Sequence, residues 1–371
     1  MESLGESKDF WTSNWHGHSP ESEIRMWDFY GLRPIILKYT PRNGKSIEAG
    51  CGMGRYNFLL SLMGINIEGI DFSKSTIDYL NNWKRENNFN NIFLYGDITS
   101  LPYDDESLSG YLSFGVLEHI IEGPQEALKE ASRVLRPGGI AIITTPNKSF
   151  RIRYQNAKRS AKSILKSVFH IDVKPITFFQ YEYSPFELKK FLDQSLLTVQ
   201  RFGGTDLLYM FAEIGRFTGK NINQGDFGYW FSQIFENTFI SFLGAQSYTI
   251  SVKLADKMHC FFCDNLSALR GSLKTYDVPV CPKCANNNPL ASYYKHDTKI
   301  KFTENFLIDP PILKPEHRQC SLCKEDYITN ILFEDFGFNI DVCPKCMLIS
   351  NVNIDLSINH LKPRWRHRSV N

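Results

Sequence analysis

Eight of the nine cysteines in this chain fall after residue 259, and all eight sit in Cys-x-x-Cys pairs. Cys260 and Cys263 are followed by Cys281 and Cys284; Cys320 and Cys323 are followed by Cys343 and Cys346. Thiolates are soft donors, and two such pairs enclose one tetrahedral Zn²⁺ in a four-cysteine ribbon. Four protein ligands close the coordination sphere, so two structural zinc ions are expected, in preference to redox thiols. Val-Cys-Pro-Lys-Cys occurs in both halves, which marks a repeat. Many such knuckles carry glycine after the second cysteine. Here Asp264, Ala285, Lys324 and Met347 stand there, which predicts a less standard turn.

A second chemical signature lies far upstream. Ser46-Ile47-Glu48-Ala49-Gly50-Cys51-Gly52-Met53-Gly54 reads as a strand running into three alternating glycines and then a helix. Glycines let backbone approach a ligand with no Cβ in the way, and a helix N-terminus offers free N–H groups to an anion. A dinucleotide fingerprint needs its third glycine at position 6, where this chain has Arg55, so NAD is disfavoured. Cys51, inside the loop, reads as packing and not as a metal ligand.

These residues need a scaffold. Short apolar runs at Ser46–Ala49, Ile65–Ile70, Asn91–Tyr95, Gly110–Phe114 and Ile140–Thr145 alternate with helical stretches near Tyr56–Met63, Ser75–Arg85 and Gln125–Val134. That alternation predicts an α/β fold with a mostly parallel sheet and helices on both faces. Ser184-Pro185-Phe186-Glu187 supplies an N-cap, a first-turn proline and a capping-box glutamate, so a helix of about ten residues should follow. Strands are expected at Leu197–Phe202 and Tyr248–Leu254.

At 371 residues, two or three folded units are expected. The predicted organisation is a helical, aromatic lead-in over 1–45 containing Trp11, Trp15 and Trp27, and an α/β domain over 46–255. Zinc ribbons follow over 256–301 and 317–371, with a proline-bearing linker over 302–316. The formal charge of +2 points to no polyanionic partner, and with both zincs bound it becomes about −2. The polar N-terminus lacks the apolar core of a signal peptide, and paired cysteines without an export signal suggest a reducing cytoplasm.

The glycine loop with its preceding acid resembles the first motif of class I S-adenosylmethionine-dependent methyltransferases, and later landmarks occur in order. Asp71, Gly96-Asp97, Ser113-Phe114-Gly115-Val116-Leu117-Glu118-His119, Leu135-Arg136-Pro137-Gly138-Gly139 and Thr145-Pro146-Asn147 match successive motifs. The resemblance spans about residues 10–255 and is closest to the ubiquinone-type and glycolipid-type (type 11) members. It implies a Rossmann-like seven-stranded sheet and assigns S-adenosylmethionine to Glu48, Gly50, Cys51, Gly52, Gly54, Asp71, Phe72, Asp97, Ile98 and Phe114. In the family the acid at Asp71 meets the ribose hydroxyls, and the acid at Asp97 meets the adenine amino group. His119 is the candidate general base. Some relatives hold a catalytic metal through Glu-x-x-Glu-His; here Gly115 stands at the first position, so metal assistance is not expected.

Residues 149–171 form a basic amphipathic segment, with Arg151, Arg153, Lys158, Arg159, Lys162 and Lys166 and no acid before Asp172; residues 206–243 are rich in aromatics. In related enzymes these regions, here 149–182 and 206–243, cover the acceptor. Their character suits a small-molecule, glycan or lipid-linked acceptor with peripheral membrane contact. The alternatives are an RNA or protein methyltransferase that docks substrate on its ribbons, and a non-catalytic cofactor-binding module. The basic run Lys362–Arg368 reads as a solvated tail.

Overall fold

The computed structural model describes residues 32–62, 64–87, 89–148, 180–206 and 239–287, together with 11, 15, 18–20 and 23 and four C-terminal strands. Seven strands form one sheet: β1 (Ser46–Ala49), β2 (Ile67–Asp71), β3 (Ile92–Tyr95), β4 (Leu108–Phe114), β5 (Leu135–Pro146), β6 (Leu197–Thr205) and β7 (Gln246–Lys253). The order is β3-β2-β1-β4-β5-β7-β6. Strands β1 to β5 pair in parallel, and β7 runs antiparallel between β5 and β6. The sheet is therefore mostly parallel, as the residue pattern predicts, and seven-stranded and Rossmann-like, as the resemblance implies. Its chain order reverses between β1 and β4, the crevice where open α/β sheets bind ligands.

Strands covered on both faces need apolar side chains on both, and β1 and β2 are buried throughout. One face packs Ile36, Phe58, Leu80, Leu112, Ile142 and Val252 together; the other packs Ile47, Tyr111, Leu128, Ile143 and Leu188. The helices follow from their own residues. Helix α1 spans Arg33–Tyr39 and α2 Arg55–Leu62. Helix α3 (Lys74–Glu86) is capped by the Ser73 side chain, buries Thr76, Ile77, Leu80 and Trp83 along one stripe, and ends on Lys84 and Arg85, which favour its negative pole. Helix α4 (Gln125–Val134) buries Ala127, Leu128, Ala131 and Val134 at the same periodicity. The predicted capping box is formed at the start of α5 (Pro185–Asp193), with Ser184 and Glu187 exchanging hydrogen bonds.

Strand β5 begins earlier than the residue pattern suggests, taking in Leu135-Arg136-Pro137-Gly138-Gly139. Between Leu108↔Leu135 and Gly110↔Ile140 the register shifts, so a bulge absorbs the extra residues. Gly138 holds a φ of +82°, and a Cβ there would lie 2.8 Å from the His259 carbonyl oxygen. The cysteine-bearing segment docks at this point.

That segment contains the hairpin β8 (Met258–His259) and β9 (Leu266–Ser267), then α6 (Arg270–Tyr276) and α7 (Pro282–Asn287). Met258, Phe261, Leu273 and Val280 belong to the same core as Ile140, Ile142, Ile250 and Val252. Tyr39 Oη donates to Asp277 at 2.8 Å, and Asn43 Nδ2 donates to the Phe262 carbonyl at 2.7 Å. Further on, β10 (Glu316–Gln319) pairs with β11 (Asp326–Thr329), and β12 (Asn339–Val342) with β13 (Ile349–Val352), both antiparallel. The basic segment 149–171, most of 206–243 and the tail 362–368 lie outside the described residues. Phe242 is described and packs against Phe186 and Phe202. Among the described residues no helix is long and apolar enough to cross a membrane.

Candidate functional site

The loop after β1 is fixed first by backbone. The N–H groups of Gly50 and Cys51 donate to the Ile70 carbonyl at 2.8 and 3.0 Å, which ties the loop to the end of β2. Gly50 (φ +76°) and Gly52 (φ +49°) both occupy the left-handed region. Neither has room for a side chain: a Cβ on Gly50 would fall 2.4 Å from Val116 Cγ2, and one on Gly52 would fall 2.5 Å from the Trp15 ring. The loop is thus a cradle that a methyl group would fill.

Acids at the carboxyl ends of β1 and β2 brace it. The Asp71 carboxylate accepts from the Gly52 and Ser73 N–H groups, each at 2.9 Å. Glu48 Oε2 accepts from the Asn57 N–H at 2.8 Å, inside the first turns of α2. Burial holds the Asp71 carboxyl above its ordinary range and pushes Glu48 up to about 8, against the pull of these N–H donors. Asp97, just past β3, is exposed and accepts from the Thr99 N–H at 2.8 Å. Phe72 and Ile98 are half-buried beside these acids. Phe114, at the end of β4, meets the Tyr56 ring at a tilt, with centroids 4.4 Å apart. Cys51 is buried among apolar neighbours, and burial pushes its thiol well up. The residues named from the sequence therefore converge on the carboxyl ends of β1 to β4, at the switch point.

His119 ends a short 3₁₀ turn, Leu117–His119, that follows β4. Its Nε2 lies 3.8 Å from Glu118 Oε1, and the Trp11 ring meets the imidazole edge-on at 4.8 Å. Gly115 stands open beside this pair, with φ +71° and only Glu118 Oε1 within reach of an added Cβ.

Part of the site is invisible in sequence spacing. Trp11 and Trp15 come from the N-terminal lead-in, 6.3 Å apart, and reach His119 and the glycine loop respectively. Glu23 is buried from the same segment and takes hydrogen bonds from the Arg55 guanidinium, one at 3.1 Å, and from His18 at 2.7 Å. Burial alone would raise the Glu23 pKa, but Arg55 and His18 bring it down to about 2. The only sequence signal was the density of tryptophans before residue 30.

The four thiols of Cys260, Cys263, Cys281 and Cys284 lie within 4.8 Å of one another, with Cys263 and Cys281 sulfurs 3.6 Å apart. A tetrahedral ZnS₄ centre with bonds of ~2.3 Å requires sulfurs about 3.8 Å apart, so the set fits such an ion. Asp264, where glycine is common, holds a φ of +63° and forms an ion pair with Arg136. The second quartet, Cys320, Cys323, Cys343 and Cys346, lies outside the described residues. In sequence, its pairs lie between the residues of β10 and β11 and between those of β12 and β13.

Residues 47–143 match the family model described as a methyltransferase domain. A ubiquinone biosynthesis O-methyltransferase of Coxiella burnetii is 28% identical over 132 residues, covering 34% of this chain and 56% of that protein. A probable S-adenosylmethionine-dependent methyltransferase of Mycolicibacterium smegmatis is 31% identical over 103 residues, covering 28% of this chain and 38% of that protein. The chain thus spans little more than half the length of the Coxiella relative. Among solved structures, a SAM-dependent methyltransferase from Methanosarcina mazei aligns with a TM-score of 0.41 at 19% identity, covering 60% of this chain and 97% of that one.

Proposed function

We propose that this chain, which carries a class I S-adenosylmethionine-dependent methyltransferase domain, methylates a small-molecule, glycan or glycolipid acceptor and holds two structural zinc ions. The observation that carries the reading is the convergence of the glycine cradle with Glu48, Asp71 and Asp97 at three adjacent strand ends, inside the matched stretch. When bound, S-adenosylmethionine supplies a methyl group already activated on sulfur.

The chain's own part is binding and alignment. Asp71 and Asp97 suit the ribose and adenine ends, and the backbone of the loop Gly50–Gly54 suits the methionine end. Alignment of acceptor, methyl and sulfur is worth up to ~7–11 kcal/mol. His119 would take the acceptor's proton where the acceptor is a hydroxyl or an amine. The acceptor side belongs to 149–182 and 206–243, whose basic and aromatic residues suit an amphiphilic or phosphate-bearing molecule at a membrane surface. The ubiquinone enzyme among the relatives accords with an amphiphilic acceptor.

We divide the chain into a lead-in (1–45), the methyltransferase domain (46–255), a first zinc unit (256–301), a linker (302–316) and a second zinc unit (317–371), in a reducing cytoplasm that keeps eight thiols available. Fit of the first quartet to tetrahedral zinc supports the metal reading, and its packing on the core supports a structural role.

The test is transfer of labelled methyl from S-adenosylmethionine into a host lysate that is then fractionated. Label in organic, small-molecule or glycan fractions supports the reading. Label in RNA or protein instead would make the zinc units substrate-docking elements. Cofactor binding with no label in any fraction would favour a binding module.

A further inference from the structure

Glu118 is 2% exposed, and its Oε2 has no hydrogen-bond partner among the described residues. A buried carboxyl oxygen left without a partner is costly, and such an isolated oxygen calls for an explanation. Its backbone carbonyl anchors the chain by accepting from the Tyr181 N–H at 2.7 Å, a bond that makes no use of the side chain. Glu118 Oε1 faces His119 Nε2 at 3.8 Å, while Trp11 holds the imidazole from another side. Tyr183, from the segment entering α5, is a further titratable group that senses the carboxyl, and its phenol is pushed above its ordinary range, chiefly by burial.

We propose that Glu118 is the positioning partner of His119, forming a carboxyl–imidazole pair that serves an acceptor whose nucleophile is an O–H or N–H group. The proposal rests on the reading of His119 as the proton acceptor and narrows the substrate to protic nucleophiles. As the acceptor's oxygen or nitrogen forms its bond to the methyl carbon, the carbon–sulfur bond breaks and its electron pair stays on the departing thioether. The acceptor's proton passes to the imidazole. The resulting positive charge, delocalised to Nε2, lies opposite Glu118 Oε1. In its ionised form the carboxylate stabilises that imidazolium; in its neutral form it does not. Burial pushes the Glu118 pKa up to about 8, so the pair gains strength as pH rises through that value.

The test compares the wild type with E118Q and H119Q, all saturated with S-adenosylhomocysteine. Imidazole nitrogen resonances are followed by NMR from pH 5 to 10. Coupled groups titrate in two steps, so the His119 signal should show a second inflection near pH 8 that disappears in E118Q. Initial rates are then measured on whichever lysate fraction takes label. E118Q, which keeps the shape of the side chain, should lower kcat by about 10- to 100-fold, leave the KM for S-adenosylmethionine unchanged and abolish the rise through pH 8. An identical His119 titration and pH profile in E118Q would overturn the proposal while His119 stands as base. Full activity in H119Q would instead overturn the reading of His119 itself, and the proposal with it.

Discussion

Met258 has no exposed surface and lies in one core with Ile140, Ile142, Ile250 and Val252 of β5 and β7. It is only two residues from Cys260, the first of the four clustered cysteines. If the unit that holds Cys260 to Cys284 shares its core with the sheet, Met258→Ala must weaken both. Truncating a buried methionine to alanine costs about 2–5 kcal/mol, combining lost transfer energy with the cavity left behind. In a domain of this size, 1 kcal/mol moves the midpoint by roughly 2–4 °C. The main calorimetric transition of the zinc-loaded protein should therefore fall by roughly 4–20 °C. Hydrogen exchange at the amides of β5 and β7 should accelerate together with that at β8. The reasoning fails if β5 and β7 keep their protection and the main transition holds while a small separate transition shifts. That result would make the first zinc unit an independent module.

Three further outcomes follow from the site. Gly52→Ala should weaken S-adenosylhomocysteine binding about tenfold or more by calorimetry, since it adds left-handed strain and a Cβ 2.5 Å from Trp15; Trp15→Ala in the same chain should restore part of the loss, and no restoration would dismiss the steric account. Metal analysis of protein purified under reducing conditions should give two zinc ions per chain and one in Cys281→Ser, whereas an unchanged content would remove this quartet as a site. The third outcome concerns Glu118, whose pKa rises from 4.5 unfolded to about 8 folded, so the native state binds the proton more tightly. Its burial cost is absent below about pH 4.5, grows as pH rises and is complete above about 8. Glu118→Gln does not titrate and should therefore melt higher than the wild type at pH 9, with the gap closing toward pH 4.5. An equal gap at both ends would refute the linkage.

Local rules carried much of this molecule. The alternation of apolar runs and helical stretches marked each strand that builds the parallel core, because continuous apolar runs and period-3.6 stripes are written residue by residue. The capping box at Ser184 needed only four neighbouring side chains. The shared placement of Glu48, Asp71 and Asp97 was legible because each lies at or beside a strand end, and adjacent parallel strands bring their ends together. The clustering of Cys260, Cys263, Cys281 and Cys284 was legible from spacing, since paired Cys-x-x-Cys motifs bring four thiols together.

What spacing does not encode is which distant surfaces meet. That Trp15 lies on Gly52, that Trp11 meets His119, and that Glu23 is buried against Arg55 depends on where the lead-in folds back, which no local period specifies. Gly138 stood in sequence only as part of a motif ahead of the predicted strand; the tertiary structure uses its missing Cβ to admit the backbone of His259, and its φ is +82°. Asp264 took the left-handed position where glycine was awaited, in an ion pair with an arginine 128 residues away in sequence. Chemistry that depends on donor type and strand end is thus set by sequence. The packing of the cysteine-bearing segment on the sheet, and the isolation of the Glu118 carboxyl, were decided only when separated segments excluded water from between them.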